Sequence, residues 1–172
     1  MLIHVTISDE HRAYLIRTQL VGPAVINFAL SASIAWYLYH EAPYILVWHP
    51  RGIVTDAVIS LFVISFLTCL ITTPWVKLAV TYGKVSPLQW RRADHSWLGQ
   101  LPSSLLLRSM VFGLLGAVVG GLILISGLMV LRIPGMWLAQ LVVFKGIYSA
   151  VIAVIVSQLV ALCALADAGT AT

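Results

Sequence analysis

Apolar runs of about twenty residues alternate with short polar joints along the chain, and four of them stand out, at about 20–39, 53–73, 109–131 and 137–166. A helix rising about 1.5 Å per residue needs about 20 apolar residues to cross a hydrocarbon core of about 30 Å, so each run is long enough to span a bilayer once. The period-two alternation of a membrane β-barrel is absent, and a segment in lipid must satisfy its own backbone. The pattern predicts an all-α, polytopic membrane protein: four transmembrane helices arranged as two consecutive helical hairpins, forming one domain over residues 1–172. Pro74 is read as closing the second helix and opening a long joint, 74–108. Pro23, in the first turn of the first helix, is read as harmless because an N–H there has no intrahelical partner to lose.

Composition agrees with a lipid solvent. Hydrophobic residues make up 60% of the chain and charged residues 9%, against about 45–50% and about 25% in soluble domains. The ten Lys/Arg and six Asp/Glu give a net charge of +4, but in a membrane protein the placement of basic residues matters more than their sum. Arg12 and Arg17 precede the first helix, and Lys77, Lys84, Arg91, Arg92 and Arg108 fall in or beside the long joint; the opposite side has Arg51 and Arg132. That bias places both termini and the joint in the cytoplasm of a bacterial inner membrane, and it makes the lipid bilayer rather than nucleic acid the expected partner. Trp36, Tyr37, Tyr39, Tyr44, Trp48 and Trp137 mark the outer interface, and Trp75, Tyr82, Trp90 and Trp97 the inner one. Asp9 to Arg12 stand before any apolar run, the wrong order for a cleaved signal peptide.

The two hairpins resemble each other faintly. Arg17 and Gly22 open the first, with a Pro-Arg-Gly joint at 50–52; Arg108 and Gly113 open the second, with a Pro-Gly joint at 134–135. Helix three carries small residues four apart, Ser109, Gly113, Ala117 and Gly121, with Gly116 and Gly120 on a neighbouring row. Such a face admits another helix backbone closely, either inside the bundle or in a second chain. Helix one has a looser version in Asn27, Ser31 and Ala35, with Asn27 placed to bond across to a partner helix.

Two charges remain inside apolar runs. Asp56, the only acid within a run, lies in the first turn of helix two, and Lys145 lies eight residues past Trp137. A charge at membrane depth costs at least about 2.5–3.5 kcal/mol and normally faces a partner, a cavity or a pathway. A salt bridge between them would join the hairpins, and the same geometry could line an entrance. Alternatively, Lys145 snorkels to the interface and Asp56 simply favours its helix dipole. Ser60 lies one turn below Asp56, whereas Ser65, Thr68 and Thr72 lie on another face, so no single polar stripe crosses the bilayer.

Little else bears chemistry. His40 and His49 flank the first outer loop without a ligand-pair spacing, Cys69 and Cys163 stand singly as packing residues, and His95 belongs to an interfacial Trp/Arg stretch. Zinc-helix, phosphate-loop and nucleophile-elbow motifs are missing, so no metal or cofactor is expected. The leading reading is a small, noncatalytic integral membrane protein that packs as a homo-oligomer, or as an accessory subunit of a membrane complex, through the Gly-rich face of helix three. The alternative is a small transporter or channel of two similar hairpins, with Asp56 and Lys145 near its outer mouth.

Overall fold

The computed structural model describes residues 9–87, 102 and 104–169. The helices are α1 (Asp9–Gln19), α2 (Val21–Tyr39), α3 (Ile53–Thr81), α4 (Leu105–Leu115), α5 (Gly121–Val130) and α6 (Leu138–Gly169); a π-helical turn, Gly116–Gly120, joins α4 to α5. Four spans are long and apolar enough to cross a membrane: His11–Tyr39, Ile53–Thr81, Leu105–Val130 and Leu138–Gly169. The protein is a nearly all-α, four-span membrane protein.

One proline acts differently from the sequence reading. α3 passes through Pro74 to Thr81 instead of ending there, because lipid offers no alternative donors or acceptors and favours keeping the helix; Thr73 Oγ1 donates to Cys69 O at 2.9 Å, next to the Leu70 carbonyl from which the proline withholds a donor. Pro23 lies, as expected, in the first turn of its helix, α2. α1 ends just before, at Gln19, and Pro23 has no N–H to give the carbonyl four residues back, Gln19 O. The chain breaks at Leu20, and Ser157 Oγ of α6 donates to Gln19 O at 2.7 Å instead. Gln158 Nε2 donates to Leu15 O at 3.2 Å, tying α1 to the same helix. The joint between hairpins is accordingly shorter than 74–108, and its residues 88–101, with Trp90, Arg91, Arg92, His95 and Trp97, lie outside the described part, as does His4.

The helices interlock. α2 packs chiefly on α6, α4 and the π turn pack on α3, and α3 packs on α6, whereas α2 and α3 scarcely touch. Each hairpin's first helix therefore rests on the other hairpin's second helix, the pattern a two-fold axis along the bundle would generate. The connecting loops follow the same rule. β1 (Tyr44–Leu46) and β2 (Gly135–Trp137) form an antiparallel ribbon, with Tyr44 opposite Trp137 and Leu46 opposite Gly135. A Cβ on Gly135 would stand 2.6 Å from Ile45 O, so only glycine lets the strands close. The ribbon was not legible as strand because three residues carry too little periodicity.

α6 is the axis of the molecule, with 56% of its most apolar window buried, against 11% for the first span. Three apolar clusters line it. Ile45, Val47, Ile53, Leu124 and Leu141 fill the ribbon end, Cys69, Phe112, Val156 and Val160 the middle, and Leu15, Val76, Val85 and Leu165 the end where α1 begins and α6 finishes.

Candidate functional site

Gly52 sets the first element of the site. Its N–H donates to His49 O at 2.8 Å, and a Cβ there would stand 2.8 Å from that oxygen, so glycine permits the tight turn into α3. Asp56 follows one turn later, its N–H closing on Gly52 O at 3.2 Å. Lys145 lies seven residues into α6, about 10 Å along its axis. Helical side chains lean toward the N-terminus of their helix, so the Lys145 stem runs back toward the ribbon end. There Lys145 Nζ donates to Asp56 Oδ2 at 2.5 Å; the two side chains are 5% and 16% exposed. The ammonium is thus turned to a carboxylate inside the protein.

Beside this pair lies a small cleft between α3 and α6. Asp56, Lys145, Ser60, Tyr148 and Ser149 border it together with Ile53, Leu61 and Leu141, and nearly all of its surface is apolar. Tyr148 OH donates to Gly120 O, in the π turn, at 2.6 Å. π turns are uncommon and recur at functional sites, because the widened ladder leaves backbone groups for other partners.

The small residues of the third span do not face outward. A Cβ on Gly113 would stand 2.9 Å from the Phe62 ring, one on Gly120 3.0 Å from Leu61 and one on Gly121 3.3 Å from Val58, while one on Gly116 would collide with Ser65. All four partners belong to α3. Ser109 is fully buried, its Oγ donating to Leu105 O at 2.9 Å, and Ala117 is half-buried. The Gly-rich face is therefore occupied within the chain, which corrects the expectation that it presents a surface to another protein. Asn27 requires a correction as well: its Nδ2 donates to Pro23 O in its own helix at 2.9 Å instead of bonding across. Ser31, four residues on, is buried on α2.

A second ion pair, missed from the sequence, closes the opposite end. Arg108 Nη1 meets Asp167 Oδ2 at 2.6 Å, with side chains 3% and 16% exposed, and Arg108 Nε donates to Pro102 O at 3.3 Å. In the sequence Arg108 reads as an interfacial topology marker and Asp167 falls just past the last apolar run; α6 runs on through Asp167 to Gly169 and brings the acid to the start of α4. The spacing of Asp167 from the end of the apolar run was the available signal.

Between the two pairs α3 buries Ser65, Thr68, Cys69, Thr72 and Thr73. Ser65 Oγ has no hydrogen-bond partner among the described residues. Cys69 Sγ lies 4.0 Å from Thr73 Oγ1. The histidines of the ribbon end are occupied locally: His40 Nδ1 lies 2.8 Å from Tyr37 O, and His49 Nδ1 accepts from Arg51 N at 3.2 Å. Among the described residues, no three His, Cys, Asp or Glu gather as a metal site. The chain matches no protein-family model, no curated protein and no solved structure.

Proposed function

We propose that the chain is a small transport protein of a bacterial inner membrane, with both termini cytoplasmic, that passes a small ion between α3 and α6. One observation carries this reading: α6 bears a buried ion pair toward each end, Lys145 with Asp56 and Asp167 with Arg108. Twenty-two residues separate Lys145 from Asp167, about 33 Å of helix and so about one hydrocarbon thickness. Apolar residues of similar volume would hold a bundle as well as a buried ion pair does, so two such pairs argue for use beyond packing. A small cleft beside Asp56 lies between the same two helices. An assembly role through the Gly-rich face has lost its surface, since α3 fills it.

Purified protein in liposomes of phosphatidylethanolamine and phosphatidylglycerol tests the reading, with trapped indicators for H⁺, Na⁺, K⁺ and Cl⁻. Flux of at least one ion above protein-free vesicles is expected. Asp56→Asn and Lys145→Met should each lower it at least tenfold without changing the helical circular dichroism. Absence of flux for every ion, or flux indifferent to both substitutions, sinks the proposal. Orientation has its own test: a reporter enzyme active only outside the cytoplasm should be silent when fused after Thr172 and active when fused after Arg132.

A further inference from the structure

Resting on that reading, we infer that α1 is an inner lid on the path between α3 and α6, hinged at Leu20 to Gly22, with Leu15 as its plug and Ser157, Gln158 and His11 as its latch. The starting observation is how α1 is fastened. Gln158 Nε2 donates to Leu15 O at 3.2 Å and Ser157 Oγ to Gln19 O at 2.7 Å, so two consecutive residues of α6 hold two successive turns of α1. His11 Nε2 lies 2.9 Å from Ser86 O, in the segment that follows α3. One short helix is thus tied to α6 on one side and to the end of α3 on the other, across the inner end of the seam between them. Leu15 enters that end. It is buried in an apolar cluster with Val76 of α3, Val85 just after it, and Ala161, Ala164 and Leu165 of α6.

The fastening is of a kind that can be undone. His11, Leu15 and Gln19, four residues apart, form the buried face of α1, and two of the three are polar. A hydrogen bond surrendered at a membrane surface is largely replaced by one to water, whereas apolar burial has no such substitute. A permanent cap would gain more from leucine or valine at those positions than from histidine and glutamine.

A hinge adjoins the latch. Leu20 stands between α1 and α2, and Pro23 leaves the helical ladder without a donor for Gln19 O. A Cβ on Gly22 would meet nothing within 4 Å, so no neighbouring element crowds the chain there. Lids turn about a few terminal residues of this kind. The outer end lacks that freedom, because the ribbon pairs the two loops with each other, and Val47 N–H and Leu138 N–H donate across to Pro134 O and Pro43 O at 3.0 and 3.1 Å. Movement is therefore assigned to the inner end, where Asp167 of α6 meets Arg108.

Locking and loosening the lid test it in the same liposomes. Ser157 meets Gln19, and one turn back along α1 with one turn on along α6 sets Leu15 against Ala161. A Leu15→Cys, Ala161→Cys pair should therefore oxidise with copper phenanthroline to an intramolecular disulfide, seen as a reducible mobility shift. Flux of the transported ion through the cross-linked protein should fall at least tenfold and return when dithiothreitol opens the bond. The parent, whose Cys69 and Cys163 are buried and unbridged, should be indifferent to both reagents. Gln158→Leu keeps the side-chain volume but removes one latch donor, and it should raise flux at least twofold. A pair that does not cross-link, a cross-link that leaves flux unchanged, or a Gln158→Leu flux no higher than the parent's would each overturn the lid while the transport reading stands. If the parent passes no ion, both fall together.

Discussion

The side chain of Ser65 is seated directly on the backbone of Gly116: a Cβ added to that glycine would collide with Ser65 Oγ and lie 2.7 Å from Ser65 Cβ. This contact, repeated with Phe62 at Gly113 and Leu61 at Gly120, is what brings the third span onto α3. In lipid, close approach through small residues replaces the hydrophobic drive that water would supply. Gly116→Ala should therefore destabilise the fold by about 1–3 kcal/mol, the usual cost of overpacking, measured by unfolding in dodecyl sulfate mixed micelles. Adding Ser65→Gly should recover most of the loss. Equal and additive losses would mean the two residues do not oppose each other as described.

Arg108 and Asp167 are expected to behave as a unit. Removing one member of a buried pair leaves an uncompensated charge and costs about 3–5 kcal/mol, whereas replacing both by apolar groups of similar volume is often neutral. Arg108→Met should accordingly lower stability strongly, and Arg108→Met with Asp167→Leu should restore it toward the parent. The same double variant should still fail to transport, which separates stability from function. Restored flux in it would remove this pair from the mechanism.

The architecture was largely legible in the sequence because apolar length alone decides whether a helix can span. The four spans and the two charges within them, Asp56 and Lys145, could be read from position. What could not be read was which helix face meets which. The glycines of the third span state that a backbone approaches closely, but only the interlocked hairpins decide that α3 is the neighbour. Arg108 illustrates the same limit. A basic residue before an apolar run looks like any topology marker until a distant acid, Asp167, is seen to meet it at 2.6 Å. Ser65 and Tyr148 carry no sequence signal at all, since isolated hydroxyls are common in membrane helices and acquire meaning only from what they face.

The ribbon makes a geometric prediction about the loops. Tyr44 stands opposite Trp137 and Leu46 opposite Gly135, and directly opposed residues hold their Cβ atoms about 4.5–5.5 Å apart. With Cys69 and Cys163 buried and unbridged, a Tyr44→Cys, Trp137→Cys pair should oxidise readily to an intramolecular disulfide, seen as a reducible mobility shift. Leu46→Cys with Trp137→Cys, out of register by two residues, should not. Equal oxidation of both pairs would show that the loops are not held in this register.

The break between α1 and α2 yields the last prediction. Pro23 cannot donate to Gln19 O, and Ser157 Oγ, whose single O–H is shared with Val154 O at 3.0 Å, does so at the shorter distance of 2.7 Å. Gln19 is itself buried, 4% exposed, so Ser157→Ala would leave its carbonyl without this donor at a cost of about 1–3 kcal/mol. Pro23→Ala restores an N–H at the position that the helix ladder requires. In that background Gln19 O has an intrahelical donor, and Ser157→Ala should cost much less than it does beside Pro23. Unfolding of the two single variants and the double variant in mixed micelles measures the difference. A Ser157→Ala penalty of the same size with and without Pro23 would show that Ser157 does not stand in for the donor the proline removes.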